Sequence, residues 1–367
     1  MRILHLVTLV SPEGAYGGPV RVAFNQAAEF LGRGDDVIVA GAARGYDTPP
    51  ARVGNVPVRL FPARTLVPAT GFAGLGAPGL WRWVRRHGRG FDIVHIHLGR
   101  DLVTLPAALA VRHAGTPYVV QPHGMITPSS HPLAAPLDAA WTRKVLRDAR
   151  AVCFLTPAEH DDLTAVAGPG LRLTRVDNGV PAYPHATAAG TPEVLFAARL
   201  HARKQPLAFV EMAKALLANG TVANFTLVGP DEGEGPAVRA ALGADPRLRW
   251  LGPLDPARVP ERMADAAVFV LPSLREPYPM AVLEAMAVGL PVVIPPDCGL
   301  APLVERTGSG IVTGSAPTEL AAAVRSLLAD RERATAMGER GRRAVATELG
   351  MARIGDRLRE LYDAATR

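Results

Sequence analysis

A chain of 367 residues exceeds what one ordinary hydrophobic core organises and suits two domains of about half that length. Its 48% apolar and 20% charged residues are those of a globular protein in water, and no apolar run reaches the roughly 18 residues of a membrane span. The net charge of +6 falls entirely within residues 1–185, which admits an anionic membrane surface, an anionic acceptor or nucleic acid as partner of that half.

In chain order, Ile3–Val7 reads as a buried first strand. The segment through Val10 has no basic cluster before it and no small-residue cleavage site, so a secretory signal is not expected. Gly14-Ala-Tyr-Gly17-Gly18-Pro19 then opens a helix over Val20–Leu31, and Gly17 and Gly18 let a ligand approach the backbone closely at its N-terminus. Strands at Val37–Ala40, Val56–Phe61, Ile93–Ile96, Tyr118–Gln121, Val152–Leu155 and Leu171–Val176 alternate with helices at Leu80–His87, Val103–His113, Trp141–Ala149 and Ala158–Val166. That alternation predicts βαβ units around a parallel sheet. Residues 62–79 and 124–136 are rich in Pro and Gly and read as mobile loops over a cleft.

Three features of this half are candidates for chemistry. Gly74-Leu-Gly76-Ala-Pro-Gly79 matches G-x-G-x-x-G formally, but without a preceding strand it is a false positive for a dinucleotide turn. His95-Ile-His97 ends a buried strand, and His123-Gly124 follows another, where ligands bind in open α/β sheets. No carboxylate or third histidine sits at metal-ligand spacing, so no metal is expected. Trp81-Arg-Trp-Val-Arg-Arg-His-Gly-Arg89 reads equally as a helix docking on an anionic membrane and as an amphipathic core helix with a solvated basic face.

The pattern breaks at Asn178–Pro192, the expected linker, and a second βα series follows. Strand Val194–Ala197 leads into Arg199-Leu-His-Ala-Arg203-Lys204, where Arg199 and Lys204 lie five apart on a loop entering the helix Pro206–Asn219, a spacing that admits either convergence on one phosphate pair or a solvated basic loop. Strand Phe225–Val228 ends at Gly229-Pro230, helix Ala237–Leu242 follows, and strand Arg249–Leu251 ends at Gly252-Pro253-Leu254. After the helix Val259–Ala264 comes the most informative stretch. A buried strand at Val268–Leu271, a turn holding Glu276, a helix holding Glu284 and a second strand at Pro291–Ile294 succeed one another. Pro279 suits the first helical turn and Gly289 the stop. The two carboxylates, eight positions apart, bracket a helix N-terminus, where free N–H groups near Met280 and Ala281 favour an anion. Spacing alone also allows a capping glutamate and a solvated helix residue. A strand near Gly310–Val312 and helices at Glu319–Ala329, Arg331–Thr347 and Met351–Ala365 complete the chain.

The stretch from Val268 to Ile294 resembles the E-x7-E motif of retaining, nucleotide-sugar-dependent glycosyltransferases of family GT4, and the likeness runs over most of the chain with its motifs in the family's order. The resemblance implies an α/β chain of GT-B architecture, two Rossmann-like domains facing each other across a cleft. It places an acceptor-binding domain at 1–180, a nucleotide-sugar domain at 190–347, and a C-terminal helix at 348–367 that crosses back to the first. It further implies that Glu276 takes hydroxyls of the donor sugar and Glu284 the ribose, and that Arg199 and Lys204 hold the diphosphate. Amides near Met280 and Ala281 would meet the phosphates, Gly229 and Leu254 would flank the base, and His123 would bond the sugar, with His97 behind it. Gly17 and Gly18 would lie beside donor phosphates and acceptor. The catalytic set is then Glu276, His123, Arg199 and Lys204, with no side-chain base. The departing phosphate oxygen takes the acceptor's proton by a front-face route.

No D-x-D triplet occurs, which argues against a metal-dependent donor site; cationic side chains would neutralise the diphosphate instead. The expected co-substrate is a UDP- or GDP-linked sugar, with no bound cofactor. The expected acceptor is a polysaccharide, a glycolipid or a natural product. Two buried-looking cysteines, Cys153 and Cys298, far apart and without metal-ligand spacing, point to free thiols and a cytoplasmic setting, with peripheral contact at the inner membrane face through the basic half. Rivals are a nucleotide-sugar epimerase of the same architecture and a phosphorylase, for which only Lys144, Lys204 and Lys214 could carry pyridoxal. A third rival is a non-enzymatic anion- or nucleic-acid-binding protein. The reading adopted expects no nucleic acid.

Overall fold

The computed structural model describes residues 1–12, 17–68, 71–186 and 190–367, with residues 71 and 72 as backbone only. The chain divides into two compact α/β units, residues 1–179 with 351–367, and residues 180–350.

In the first unit the strands are β1 (Arg2–Val10), β2 (Asp36–Ala43), β3 (Arg52–Val53), β4 (Val56–Pro62), β5 (Arg64–Thr65), β6 (Leu75–Gly76), β7 (Ile93–Ile96), β8 (Tyr118–Val120), β9 (Ala151–Phe154) and β10 (Leu173–Arg175). The main sheet runs β10-β9-β8-β7-β1-β2-β4-β3, parallel except for the β3–β4 hairpin. Order reverses between β1 and β7, the position at which open parallel sheets leave a crevice at their carboxyl ends. The central strands are buried on both faces, which is why they read as continuous apolar runs. One face is covered by the helix Gly18–Gly32 and by the C-terminal helix Met351–Thr366. Ala23, Ala27 and Phe30 from the first meet Ile354, Leu358 and Tyr362 from the second over Ile3, Val37 and Ile93. The other face is covered by the helices Pro78–His87, Thr104–Ala114, Arg143–Asp148 and Pro157–Ala167.

Residues 62–79, expected as a bare loop, carry the β5–β6 hairpin and a short 3-10 turn, and the loop at 124–136 ends in a helical turn from Ala134. Trp81 and Trp83 pack against the core, the former donating its indole N–H to the Val103 carbonyl, while Arg82, Arg85 and Arg86 are exposed. The helix therefore spends its aromatics inward and keeps a basic outer face.

In the second unit β11 (Glu193–Ala197), β12 (Asn224–Val228), β13 (Leu248–Trp250), β14 (Val268–Val270), β15 (Val292–Ile294) and β16 (Gly310–Val312) form an all-parallel sheet in the order β13-β12-β11-β14-β15-β16. Its order reverses between β11 and β14. The helix after β14 spans Met280–Val288, with Pro279 just before it at the cap position rather than inside the first turn. Both cysteines are free and buried, and burial pushes their thiols up to about 12 for Cys153 and about 11 for Cys298. No helix among the described residues is long and apolar enough to cross a membrane.

Candidate functional site

In the second unit the reversal of strand order brings together two loops whose paired residues, Lys204 and Glu276, are 72 positions apart in sequence. The loop after β11 carries Arg199, Arg203 and Lys204; the loop after β14 carries Glu276. The Lys204 ammonium donates to Glu276 Oε2 at 2.6 Å, and Arg203 Nη2 stands 3.6 Å from the same oxygen. Side-chain exposure of only 12% at Lys204 and 13% at Glu276 makes this a largely dry ion pair. Burial pulls the Lys204 ammonium below its usual range; Glu276 opposes that shift, while the nearby Arg203 and Arg199 charges add to it. Arg199 is engaged elsewhere, Nη1 on Glu232 Oε1 at 2.5 Å. The two cations thus share one loop, each paired with its own carboxylate.

Backbone contacts fix the Glu276 loop. Leu274 N–H donates to the Arg203 carbonyl (2.9 Å) and Arg275 N–H to Asp297 Oδ2 (2.8 Å), with Arg275 in the left-handed region at φ 46°. Gly299 N–H donates to the Glu276 carbonyl at 2.9 Å. A Cβ on Gly299 would lie 1.8 Å from the Pro277 carbonyl oxygen, so only glycine allows this approach. Glu284 lies four residues into the helix at 4% exposure, which removes the solvated-residue reading. The first turn of that helix holds no acidic residue, so the N–H groups around Met280 and Ala281 keep their attraction for an anion. Gly229, at φ 141°, ends β12 against the neighbouring strand end. A Cβ there would meet the Ala198 carbonyl oxygen at 2.0 Å, and its own carbonyl accepts from the Trp250 indole at 3.0 Å. Leu254 is half-buried on the loop after β13.

In the first unit Gly17 stands at φ 75° as the residue before the helix Gly18–Gly32, whose first turn has no side-chain cap. Gly14 and its neighbours through Tyr16 lie outside the described residues. Gly17 follows β1 and His97 follows β7, the two strands that flank the reversal of order. His123, just after β8, adopts φ 55°.

The sequence reading missed what surrounds these histidines. Parallel pairing sets His5 of β1 opposite His95 of β7, so a third imidazole does lie within reach, contrary to the expectation from spacing. Nitrogen atoms of His5, His95 and His97 approach within 4.8 Å of one another. His5 Nδ1 lies 3.1 Å from His97 Nε2, and His97 Nδ1 lies 2.8 Å from His123 Nε2. His95 Nδ1 meets the Tyr362 hydroxyl at 2.6 Å. Burial lowers His5 and His123 to about 3, and burial with help from neighbouring imidazoles lowers His95 and His97 well below the ordinary histidine value, so the cluster is neutral. The available signal was a histidine in each of two adjacent apolar strands, which periodicity flags as odd but cannot pair.

The profile described as "Glycosyl transferases group 1" matches residues 184–344, and that described as "Glycosyl transferase 4-like domain" matches residues 17–179. A D-inositol 3-phosphate glycosyltransferase of Nocardia farcinica is 32% identical over 233 residues, 59% of this chain; the match spans only 51% of that relative's length. A GDP-mannose-dependent alpha-mannosyltransferase of Mycobacterium tuberculosis is 30% identical over 318 residues, covering 78% of this chain and 79% of the relative. Among solved structures, HepE of Anabaena in complex with UDP and glucose superposes with a TM-score of 0.78 over 99% of both chains at 20% identity, a likeness of fold.

Proposed function

This chain belongs to the GT4-like glycosyltransferases of GT-B fold, and from that premise we propose that it moves a hexosyl unit from a nucleotide diphosphate sugar to a carbohydrate, lipid-linked or natural-product acceptor. The observation that carries this reading is the Lys204–Glu276 pair at the reversal of strand order in the second unit. A cation and a carboxylate held together there match the two ends of a sugar diphosphate. Lys204 and Arg199 turn to the diphosphate, Glu276 accepts from sugar hydroxyls, and the helix N-terminus at Met280 and Ala281 faces phosphate oxygens. Glu284 takes the ribose; Gly229 and Leu254 flank the base. In the first unit, His123 serves the sugar and Gly17–Gly18 the acceptor side.

Charge growing on the departing diphosphate is then stabilised by fixed cations and amide dipoles, and the departing oxygen collects the acceptor's proton with retention at the anomeric carbon. Removal of one such contact costs about 2.7–4 kcal/mol of barrier. The base of the donor stays open, since one relative is named for GDP-mannose and one structural neighbour holds UDP. A thermal-shift screen against UDP-, GDP- and ADP-sugars identifies the donor, because ligand binding raises the melting temperature. With that donor, Glu276→Ala is expected to lower kcat about 10²–10³-fold. Unchanged turnover in Glu276→Ala would remove this assignment. Retention is read from the anomeric configuration of the product by NMR, and metal independence from activity in EDTA.

A further inference from the structure

His5, His97 and His123 make two successive links that share one geometry. The ring centroids lie 5.4 Å apart for His5–His97 and 5.1 Å for His97–His123, and the ring planes differ by 25° and 7°. The nitrogen–nitrogen distances are 3.1 and 2.8 Å. In both links the centroid separation therefore exceeds the N···N distance by the same 2.3 Å, one ring radius at either end. The rings consequently meet edge to edge and in line, each nitrogen aimed at the next. His97 uses both of its nitrogens, one on each neighbour. A metal reading of His5, His95 and His97 fails on this geometry, because ligands around one ion must turn their lone pairs to a common point. Here one His97 nitrogen already faces His5 and the other faces His123, and the His95 and His97 planes differ by only 7°.

A neutral imidazole carries one N–H and one lone pair, so a row of three has two polarities. Either every ring donates toward His123, or every ring donates toward His5. The ends of the row are His5 Nε2 and His123 Nδ1, both buried and neither with a hydrogen-bond partner. His5 is wholly inside the core at 0% exposure, whereas His123 sits half-buried on a loop at a strand's carboxyl end. A buried orphan N–H is rarer, and so more costly, than an orphan lone pair. An N–H at His5 would stay orphaned inside the core, whereas one at His123, on a loop at a strand's carboxyl end, gains its acceptor when a ligand oxygen docks there; the lone pair therefore falls to His5 and the N–H groups run toward His123.

We propose that His5 and His97 are positioning residues that lock His123 as the Nδ1–H tautomer. His123 then presents a hydrogen-bond donor to an oxygen of the substrate and holds no lone pair there to act as a base. The proposal rests on the reading that His123 meets the donor sugar. It adds that a hydroxyl or ring oxygen must accept from it, and that the selection is made two residues away in the core.

The test is 15N NMR of the full chain labelled at histidine, with assignments by His5→Gln, His97→Leu and His123→Gln. Nitrogen shifts and one-bond couplings separate protonated from unprotonated ring nitrogens. The wild type is expected to show Nδ1–H on both His97 and His123 and an unprotonated Nε2 on His123. His97→Leu is expected to mix the two tautomers of His123 and lower kcat about tenfold with KM little changed. His97→Asn, whose amide can still donate to His123 Nε2, is expected to restore the single tautomer and most of kcat. If His97→Leu does not fold, the wild-type tautomers and His97→Asn alone decide. An Nε2–H signal on His123 overturns the proposal, as does equimolar zinc that co-purifies and whose removal shifts the three histidines together. If the tautomer is as stated but His123→Ala turns over donor normally, the lock stands and the assignment of His123 to the sugar falls.

Discussion

At the scale of single residues, the Lys204–Glu276 pair ties the stability of its loops to the chemistry proposed for them. Each charge is nearly withdrawn from water, so removal of Glu276 strands Lys204 and costs about 3–5 kcal/mol; removal of Lys204 costs less, because Arg203 Nη2 also stands 3.6 Å from Glu276 Oε2, and replacement of both by apolar groups of similar size costs little. Glu276→Leu alone should therefore lower the melting temperature well below that of the wild type, Lys204→Met alone should lower it less, and the double variant should recover most of the loss while remaining inactive. A thermal melt and an activity assay on the three proteins decide this; additive losses in the double variant would show that the pair is not coupled. The sequence named these residues through motif spacing, because the five-position step from Arg199 to Lys204 and the eight-position step from Glu276 to Glu284 survive translation into loops and a helix. It did not disclose that Arg199 is tied to Glu232 and Lys204 to Glu276. Such pairings depend on which strands lie side by side, and strand order is a long-range property.

At the scale of elements, β1 and β7 place histidines where a sheet ordinarily puts valine or isoleucine. The burial that keeps them neutral has a thermodynamic consequence with a definite sign. In the unfolded chain a histidine takes up a proton below about pH 6.5, whereas the native His5 stays neutral down to about 3, and burial holds His95 and His97 well below the ordinary value as well. Their contribution is complete above about pH 6.5 and is lost progressively as the pH falls from there toward 3. Each such histidine adds a slope of up to about 1.4 kcal/mol per pH unit. Urea unfolding followed by tryptophan fluorescence tests this in a Trp250→Phe background, since the other three of the chain's four tryptophans, Trp81, Trp83 and Trp141, all lie in the first unit. The midpoint should fall steeply between pH 6.5 and 5, and His5→Gln should flatten the fall by one proton's worth. A midpoint constant over that range would contradict native-state neutrality. Periodicity foretold these strands, since a doubly covered parallel sheet writes itself as apolar runs. The lateral pairing of His5 with His95 has no local trace, so the row of imidazoles stayed hidden.

At the scale of the whole molecule, the division of the chain does not follow sequence order. Residues 351–367 belong with residues 1–179. The stripe of Met351, Ile354, Leu358, Tyr362 and Ala365 marks one apolar helix face, but a stripe does not say which sheet it covers; that expectation came from resemblance rather than from the residues. The structure lays the stripe on the face that also holds His5 and His95, with Tyr362 stacked 5.1 Å from Phe30 and bonded to His95. Charged pairs hold the helix at its polar edge, Arg33 with Asp356 and Arg359 with Asp35. Tyr362 is fully buried, so Tyr362→Ala should cost the first unit about 3–5 kcal/mol. Tyr362→Phe keeps the ring and removes only the hydroxyl contact, about 1 kcal/mol. Both losses should register in the tryptophan-reported unfolding of the first unit. Thermal protection by the donor at the proposed site on the second unit should change far less than the stability of the first unit, because none of the second unit's residues belongs to that core. Equal destabilisation by the two variants would mean that the hydroxyl, not the packed ring, anchors this helix, and that the C-terminal segment is held by polar contacts alone.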